Sequence, residues 1–328
     1  MKAAWYSQNG EAQDVMQVGE LPTPSPQAGE VLVRMAASGV NPSDVKSRRA
    51  RPLTDPLVVP HSDGAGVIEA VGEGVPASRV GQRVWVWNGQ WQRPLGTCAQ
   101  YIALPEAQAV ALPEGTDFAA GACMGIPGLT AMQSVILAER LAGDLRGKTV
   151  LVTGASSAVG HYITQMVTLV GGRAIGTVGS EAKAAHARAA GLQEAIFYKT
   201  ESVPERVKAL TQGRGADVIV DMDFSTTARW AAEGALAAHG QVVCYGSNAP
   251  DVSLPFRPWL FQSIGVKFFL VYDLTPADRQ LAVARLSDML AQKQLQHSIG
   301  ARFSLDQIAE AHRTVESGQT AGNVVVDF

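Results

Sequence analysis

The chain has 328 residues, 46% hydrophobic and 17% charged, and 27 basic against 30 acidic side chains leave a formal net charge of −3. This is ordinary globular composition, long enough for about two domains, and the mixed charge excludes an electrostatic footprint for nucleic acid or an anionic membrane. The three cysteines, Cys98, Cys123 and Cys244, are far apart; they exclude a closely spaced metal or redox motif and suit a reducing compartment. MKAAWYSQNG carries no apolar core of signal-peptide length, so a cytoplasmic protein is expected.

In chain order, short strands are predicted at residues 2–6 and 15–18, and Pro22, Pro24 and Pro26 break the chain before a strand at 30–37. Glycines 64, 66, 72, 74 and 81 punctuate strands at 67–71 and 83–87, and another strand follows at 98–103. Many short strands with frequent turns predict a compact β-barrel-like domain. From Phe118 to Leu141 the period becomes helical, interrupted by Gly125-Ile126-Pro127-Gly128.

Residues 148–160, KTVLVTGASSAVG, read as a buried strand, a tight turn of small residues and a helix start. Such a junction aims unpaired backbone N–H groups and the positive end of a helix dipole at one spot, which suits a pyrophosphate. Strands predicted at 150–152, 173–178, 194–197, 216–221, 241–245 and 265–272 are separated by helices or loops, with helices at 181–190 and 204–211. That alternation predicts a doubly wound parallel sheet whose ligand crevice lies at the strand ends, where Gly154, Gly179 and Gly246 fall. A helix over 276–293 returns the chain to strand, helix and strand. The fold class is α/β: a β-domain from residues 1–122 and 295–328, with a dinucleotide-binding domain, 123–294, inserted.

A dinucleotide fold usually ends its second strand in Asp or Glu when the ribose carries two hydroxyls. Here the strand ends Thr177-Val178-Gly179-Ser180, without an acid. Ser180, Lys183 and Tyr198 fall where a 2′-phosphate could be reached, which predicts NADPH. Glu181 opposes this if it faces inward.

With these motifs in place, the chain resembles the zinc-independent quinone oxidoreductases of the medium-chain dehydrogenase/reductase superfamily, the zeta-crystallin group. The resemblance rests on GVNPSD at 39–44, SDGAGVIEAVGEGV at 62–75, GIPGLTA at 125–131, VLVTGASSAVG at 150–160, GTVGSEAKA at 176–184, AHGQVVCYGS at 238–247 and the terminal SGQTAGNVVVDF. It implies a GroES-like β-barrel domain plus a Rossmann domain, and a homodimer through residues 265–272. It also implies that Ser156, Ser157, Ala158, Val159 and Gly160 meet the pyrophosphate, and that Thr130, Gly246, Ser247, Phe269, Leu270 and Asn323 surround the nicotinamide half. Two departures stand out: Ser157-Ala158 replaces the family's adjacent glycines, and Gly318 and Gln319 stand where some relatives place a basic residue near the adenosine phosphate.

Zinc-dependent relatives place Cys at the position of Asn41 and a His-Glu pair at Ser62-Asp63. Asn41 and Ser62 are poor zinc ligands at such a site, so no metal is expected, and His61 reads as a hydrogen-bonded turn residue. The resemblance then implies NADPH-dependent hydride transfer to a quinone. The alternatives are reduction of an enone, alkenal or enoyl-thioester double bond, and an NADPH-binding regulatory or structural protein. Asn41 is the candidate donor to substrate oxygen and Asp44 its orienter or proton relay, although Asn-Pro-Ser-Asp reads equally as a turn with a helix N-cap at Ser43 or Asp44. Lys46, Trp87 and Trp91 are pocket candidates. Trp85 and Trp87 share a strand face, Trp91 follows in a loop, and the Arg48, Arg49, Arg51 cluster reads as a solvated loop.

Overall fold

The computed structural model describes residues 1–328. The chain divides into two compact units, one of Met1–Gly128 with Val283–Phe328, the other of Leu129–Ala282.

The first unit is built on the long strand Glu30–Val40, which pairs antiparallel with Asp63–Val71, Tyr101–Pro105 and Asn323–Asp327. One strand serves three partners because Tyr101–Pro105 takes its first half and Asn323–Asp327 its last four residues. Register shifts at Leu32/Val33 and Met35/Ala37 bend it between them. Arg83–Val86, Ala109–Ala111 and Ile299–Ser304 complete a seven-stranded sheet. Its interior holds Val31, Val33, Ile68, Val84, Ile102 and Leu104; each such burial contributes about 1.5–3 kcal/mol.

The second unit is a six-stranded parallel sheet in the order Glu194–Phe197, Arg173–Val178, Thr149–Val152, Ala216–Asp221, Leu236–Cys244, Gly265–Phe268. Numbered by sequence this is 3-2-1-4-5-6, with the order reversing between Thr149–Val152 and Ala216–Asp221. Val150, Leu151 and Val152 are fully buried, as a central strand covered on both faces requires. Leu129–Ala142 packs against Ala158–Leu169. No helix is long and apolar enough to cross a membrane.

The compact units divide at Gly128/Leu129 and Ala282/Val283. The turn Met124–Gly128 contacts strands Asp63–Val71 and Arg83–Val86 of the first unit, and the second boundary falls inside the helix Pro276–Ala291. Some strand expectations are corrected. The last parallel strand stops at Phe268 rather than Tyr272: Phe269 N–H still donates to Cys244 O at 3.1 Å, after which a short helical turn, Val271–Asp273, takes over. The strand expected at 98–103 runs from Tyr101 to Pro105, because the Cys98 backbone is spent on Ala4 and Pro60.

Candidate active site

In the second unit the strand Thr149–Val152 leads through Gly154, at φ +63, into the helix Ala158–Leu169. Ser157 is the N-cap, its Oγ accepting from Gly160 N–H at 3.0 Å. A Cβ at Gly160 would stand 2.2 Å from Gly154 O, so only glycine lets the helix start approach the turn this closely. Ser157 has φ −72 and Ala158 opens the helix. Neither position needs glycine's conformations, so the Ser157-Ala158 pair fits without strain. Ser156 is buried and Ala158 and Val159 half-buried, leaving the first-turn amides as the phosphate-facing feature.

At the neighbouring strand end Ser180 caps the helix Glu181–Ala189, its Oγ accepting a long bond from Lys183 N–H at 3.4 Å. The Tyr198 hydroxyl lies 3.3 Å from where a Cβ on Gly179 would stand. The structure therefore sets the Ser180 cap, the Lys183 backbone N–H and the Tyr198 hydroxyl at neighbouring strand ends. Glu181 faces Arg188, 2.7 Å away, and its charge is compensated there. The corner holds a hydroxyl and the first amides of a helix, with no uncompensated carboxylate, which suits a phosphate-bearing nucleotide.

Thr130 is buried in the helix Leu129–Ala142, its carbonyl accepting from Ser134. Gly246 and Ser247 follow the strand Leu236–Cys244; Gly246 O accepts from Phe224 N–H, and Ser247 Oγ donates to Ala249 O at 2.8 Å. Phe269 is half-buried, its ring 6.3 Å from that of Tyr245, and Leu270 is exposed. Asn323 belongs to the first unit, where its side-chain amide donates to Ser298 O at 3.0 Å.

The first unit holds a buried polar group that short-range sequence reading does not reveal. Asn41, not Ser43 or Asp44, caps the helix Pro42–Ala50, and its backbone N–H donates to Asp44 Oδ2 at 2.8 Å. Its side-chain Nδ2 donates to Asp63 Oδ2, also at 2.8 Å. Asn41, Asp44 and Asp63 are only 5%, 4% and 0% exposed. Burial pushes the Asp44 carboxyl up to about 7, opposed by hydrogen bonds from Asn41. Burial, then the charge of Asp44, pushes Asp63 well above the carboxylate range. Two carboxyls bridged by one asparagine in a desolvated pocket favour holding a proton near neutral pH. Tyr6, pushed up to about 12 by burial and Asp44, and the Arg51 guanidinium act on the same neighbourhood.

Of the pocket candidates, Lys46 is exposed. Trp85 is fully buried, but the strand ends at Val86, so Trp87 lies beyond it, half-buried, with Nε1 donating to Ala107 O at 3.2 Å. Trp91 carries the Arg51 guanidinium 5.8 Å over its ring. Within the arginine cluster Arg49 and Arg51 are exposed, whereas Arg48 departs from the solvated-loop expectation. Arg48 is fully buried in the helix Pro42–Ala50, paired with Glu316 and Gly10 O, while Arg49 pairs with Glu11 at 2.7 Å.

The donors here do not fit a catalytic zinc. Asn41 offers an amide already held by Asp63. His61, at φ 74, has Nδ1 2.9 Å from Ser38 Oγ and Nε2 3.0 Å from His312 Nε2. No three His, Cys, Asp or Glu side chains are grouped to hold a metal. The cysteines are all buried thiols, Cys123 donating to Ala119 O at 3.1 Å and Cys244 to Gly246 O at 3.2 Å. Asp221, at the switch point, is a further buried acid: it accepts from Thr227 Oγ1 at 2.7 Å and Thr153 Oγ1 at 3.1 Å, and burial raises it to about 6.

A GroES-like β-unit made from both chain ends, with a 3-2-1-4-5-6 nucleotide-binding sheet between them in sequence, defines a medium-chain dehydrogenase/reductase. Residues 27–114 match the alcohol dehydrogenase GroES-like domain and residues 190–326 the family described as zinc-binding dehydrogenase. A quinone oxidoreductase of Pseudomonas aeruginosa is 30% identical over 95% of both chains. A 2-haloacrylate reductase of a Burkholderia species is 28% identical over 94% of this chain and 93% of its own. The structure of mycobacterial Rv1454c complexed with NADPH superposes with a TM-score of 0.87 over 100% of both chains, at 26% identity. The chain belongs to the quinone oxidoreductase family of the medium-chain dehydrogenase/reductases.

Proposed function

We propose that this protein is an NADPH-dependent quinone oxidoreductase. The observation that carries the reading is the corner at Gly179, where the Ser180 cap and the Tyr198 hydroxyl lie without an uncompensated carboxylate; similarity to quinone oxidoreductases and to a structure complexed with NADPH supports it. Bound NADPH would supply a hydride, and the protein would supply position, electrostatics and a proton. Ser156, Ser157, Ala158, Val159 and Gly160 would hold the pyrophosphate at the helix start, and Ser180, Lys183 and Tyr198 the 2′-phosphate. Thr130, Gly246, Ser247, Phe269, Leu270 and Asn323 would line the nicotinamide half. Asn41 would donate to the quinone oxygen on which charge develops. Asp44, protonated near neutral pH, would return the proton that turns the reduced quinone anion into the hydroquinone. Trp91, with Lys46 and Trp87, would border the ring.

We further propose a homodimer formed along the edge strand Gly265–Phe268, where Val266, Phe268, Leu270 and, on the preceding helix, Leu260 and Phe261 expose apolar surface. Three unpaired, buried cysteines support a cytoplasmic setting. The similarity to a 2-haloacrylate reductase supports an activated alkene as the second substrate class. The test is NADPH oxidation followed by absorbance with phenanthrenequinone, para-benzoquinone and an aliphatic enone in parallel. Turnover with the quinones is expected; turnover with the enone alone moves the function to double-bond reduction.

A further inference from the structure

The Lys199 side chain lies at the Gly179 corner beside the Tyr198 hydroxyl. We propose that Lys199 is a specificity-determining residue whose ammonium binds the 2′-phosphate of NADPH, supplying the charge that Gly318 and Gln319 do not. This rests on the NADPH reading above.

Lys199 follows Tyr198 directly off the strand Glu194–Phe197, whose Phe197 sits in register with Val178 at the end of Arg173–Val178. From the point where a Cβ on Gly179 would stand, Lys199 Cε is 3.5 Å away and the Tyr198 hydroxyl 3.3 Å. Both side chains thus fold back over the neighbouring strand end, immediately before the Ser180 cap. A Cβ at Gly179 would crowd the Tyr198 hydroxyl slightly and lie in ordinary contact with Lys199. Nearby arginines are committed, Arg188 to Glu181 at 2.7 Å and Arg206 to Glu201 at 2.9 Å, whereas Lys199 makes no ion pair.

The phosphate monoester on the ribose carries between one and two negative charges near neutral pH, so one lysine leaves it under-compensated. A lysine ammonium on a flexible stem suits it as a point-charge partner. Tyr198 is 49% exposed, so the corner is open to solvent and the attraction is salt-sensitive. NADH, lacking the phosphate, has nothing there for Lys199 to bind.

The test is a fluorescence titration of the full chain with NADPH and with NADH, at low and high potassium chloride, for wild type, Lys199→Ala and Lys199→Arg. Lys199→Ala is expected to weaken NADPH binding about fivefold to tenfold, leave NADH binding unchanged and flatten the salt dependence for NADPH; Lys199→Arg keeps NADPH binding within about twofold. Unchanged NADPH affinity in Lys199→Ala, with wild type still preferring NADPH, overturns the role of Lys199 alone. Equal weakening of NADPH and NADH overturns it as well, because the side chain is then not reading the phosphate. A wild type without preference for NADPH overturns the cofactor reading beneath it.

Discussion

Asn41 Nδ2 donates to Asp63 Oδ2 at 2.8 Å, and Asp63 is fully buried. This bond fixes which end of the Asn41 amide is nitrogen and which is oxygen, and so which atoms remain for a substrate. We predict that Asp63→Ala, which removes the acceptor, frees the amide to rotate and lowers kcat for quinone reduction about tenfold to a hundredfold, with KM for NADPH within about twofold of wild type. Steady-state kinetics separates the two parameters. An unchanged kcat would remove Asp63 from the positioning of Asn41.

The Asp44 carboxyl, raised to about 7 by burial, gives a pH prediction of definite sign. Its ordinary value is about 3.9, so between roughly pH 4 and pH 7 the folded protein binds more protons here than the unfolded chain, and stability falls as pH rises through that window. Asp44→Asn removes the penalty. It is expected to be more stable than wild type by on the order of 2 kcal/mol at pH 8 and equal near pH 4, measured by urea unfolding. As a proton donor Asp44 acts when protonated, so wild-type kcat should decline above about pH 7 and the Asp44→Asn profile should be low and flat.

Gly160 has no room for a side chain, with Gly154 O 2.2 Å from the position a Cβ would take. Gly160→Ala is predicted to cost about 1–3 kcal/mol of stability, read by denaturant unfolding, and to weaken NADPH and NADH alike, because both share the pyrophosphate. Selective loss of NADPH would place the fault at the 2′-phosphate corner instead.

Along the edge strand, Val266 is 40% exposed and Phe261 at the end of the preceding helix 81%. The double substitution Val266→Glu, Phe261→Glu should convert a dimer into a monomer in sedimentation velocity while leaving far-ultraviolet dichroism unchanged, since neither side chain belongs to the core. A wild-type monomer would dismiss the interface outright.

Much of the nucleotide-binding unit was legible because its strands are buried on both faces. Predicted strands at 173–178 and 216–221 coincide with the interior strands Arg173–Val178 and Ala216–Asp221, whose central residues are buried; the edge strand Glu194–Phe197 coincides with its predicted 194–197 as well. The opposite edge read less well. The strand Gly265–Phe268 was extended to Tyr272 because its apolar run continues after the backbone has turned away. Long-range partners were invisible: Arg48 looks solvated until Glu316, 268 residues on, closes over it. Asp63 stands out in the sequence only as the position of the glutamate of zinc-dependent relatives, since nothing local reveals Asn41 22 residues earlier. Lys199 lies past the end of the strand Glu194–Phe197, and only the side-chain positions over Gly179 bring it into the corner.

The central claim is reduction of a quinone at the expense of NADPH, and its most direct test is an anaerobic time course of NADPH oxidation with phenanthrenequinone, NADH being the paired control. Rapid oxidation with NADPH, equimolar formation of hydroquinone and a rate at least about tenfold lower with NADH at the same subsaturating concentration are expected. No hydroquinone with either nucleotide, from protein that binds NADPH, would contradict that claim.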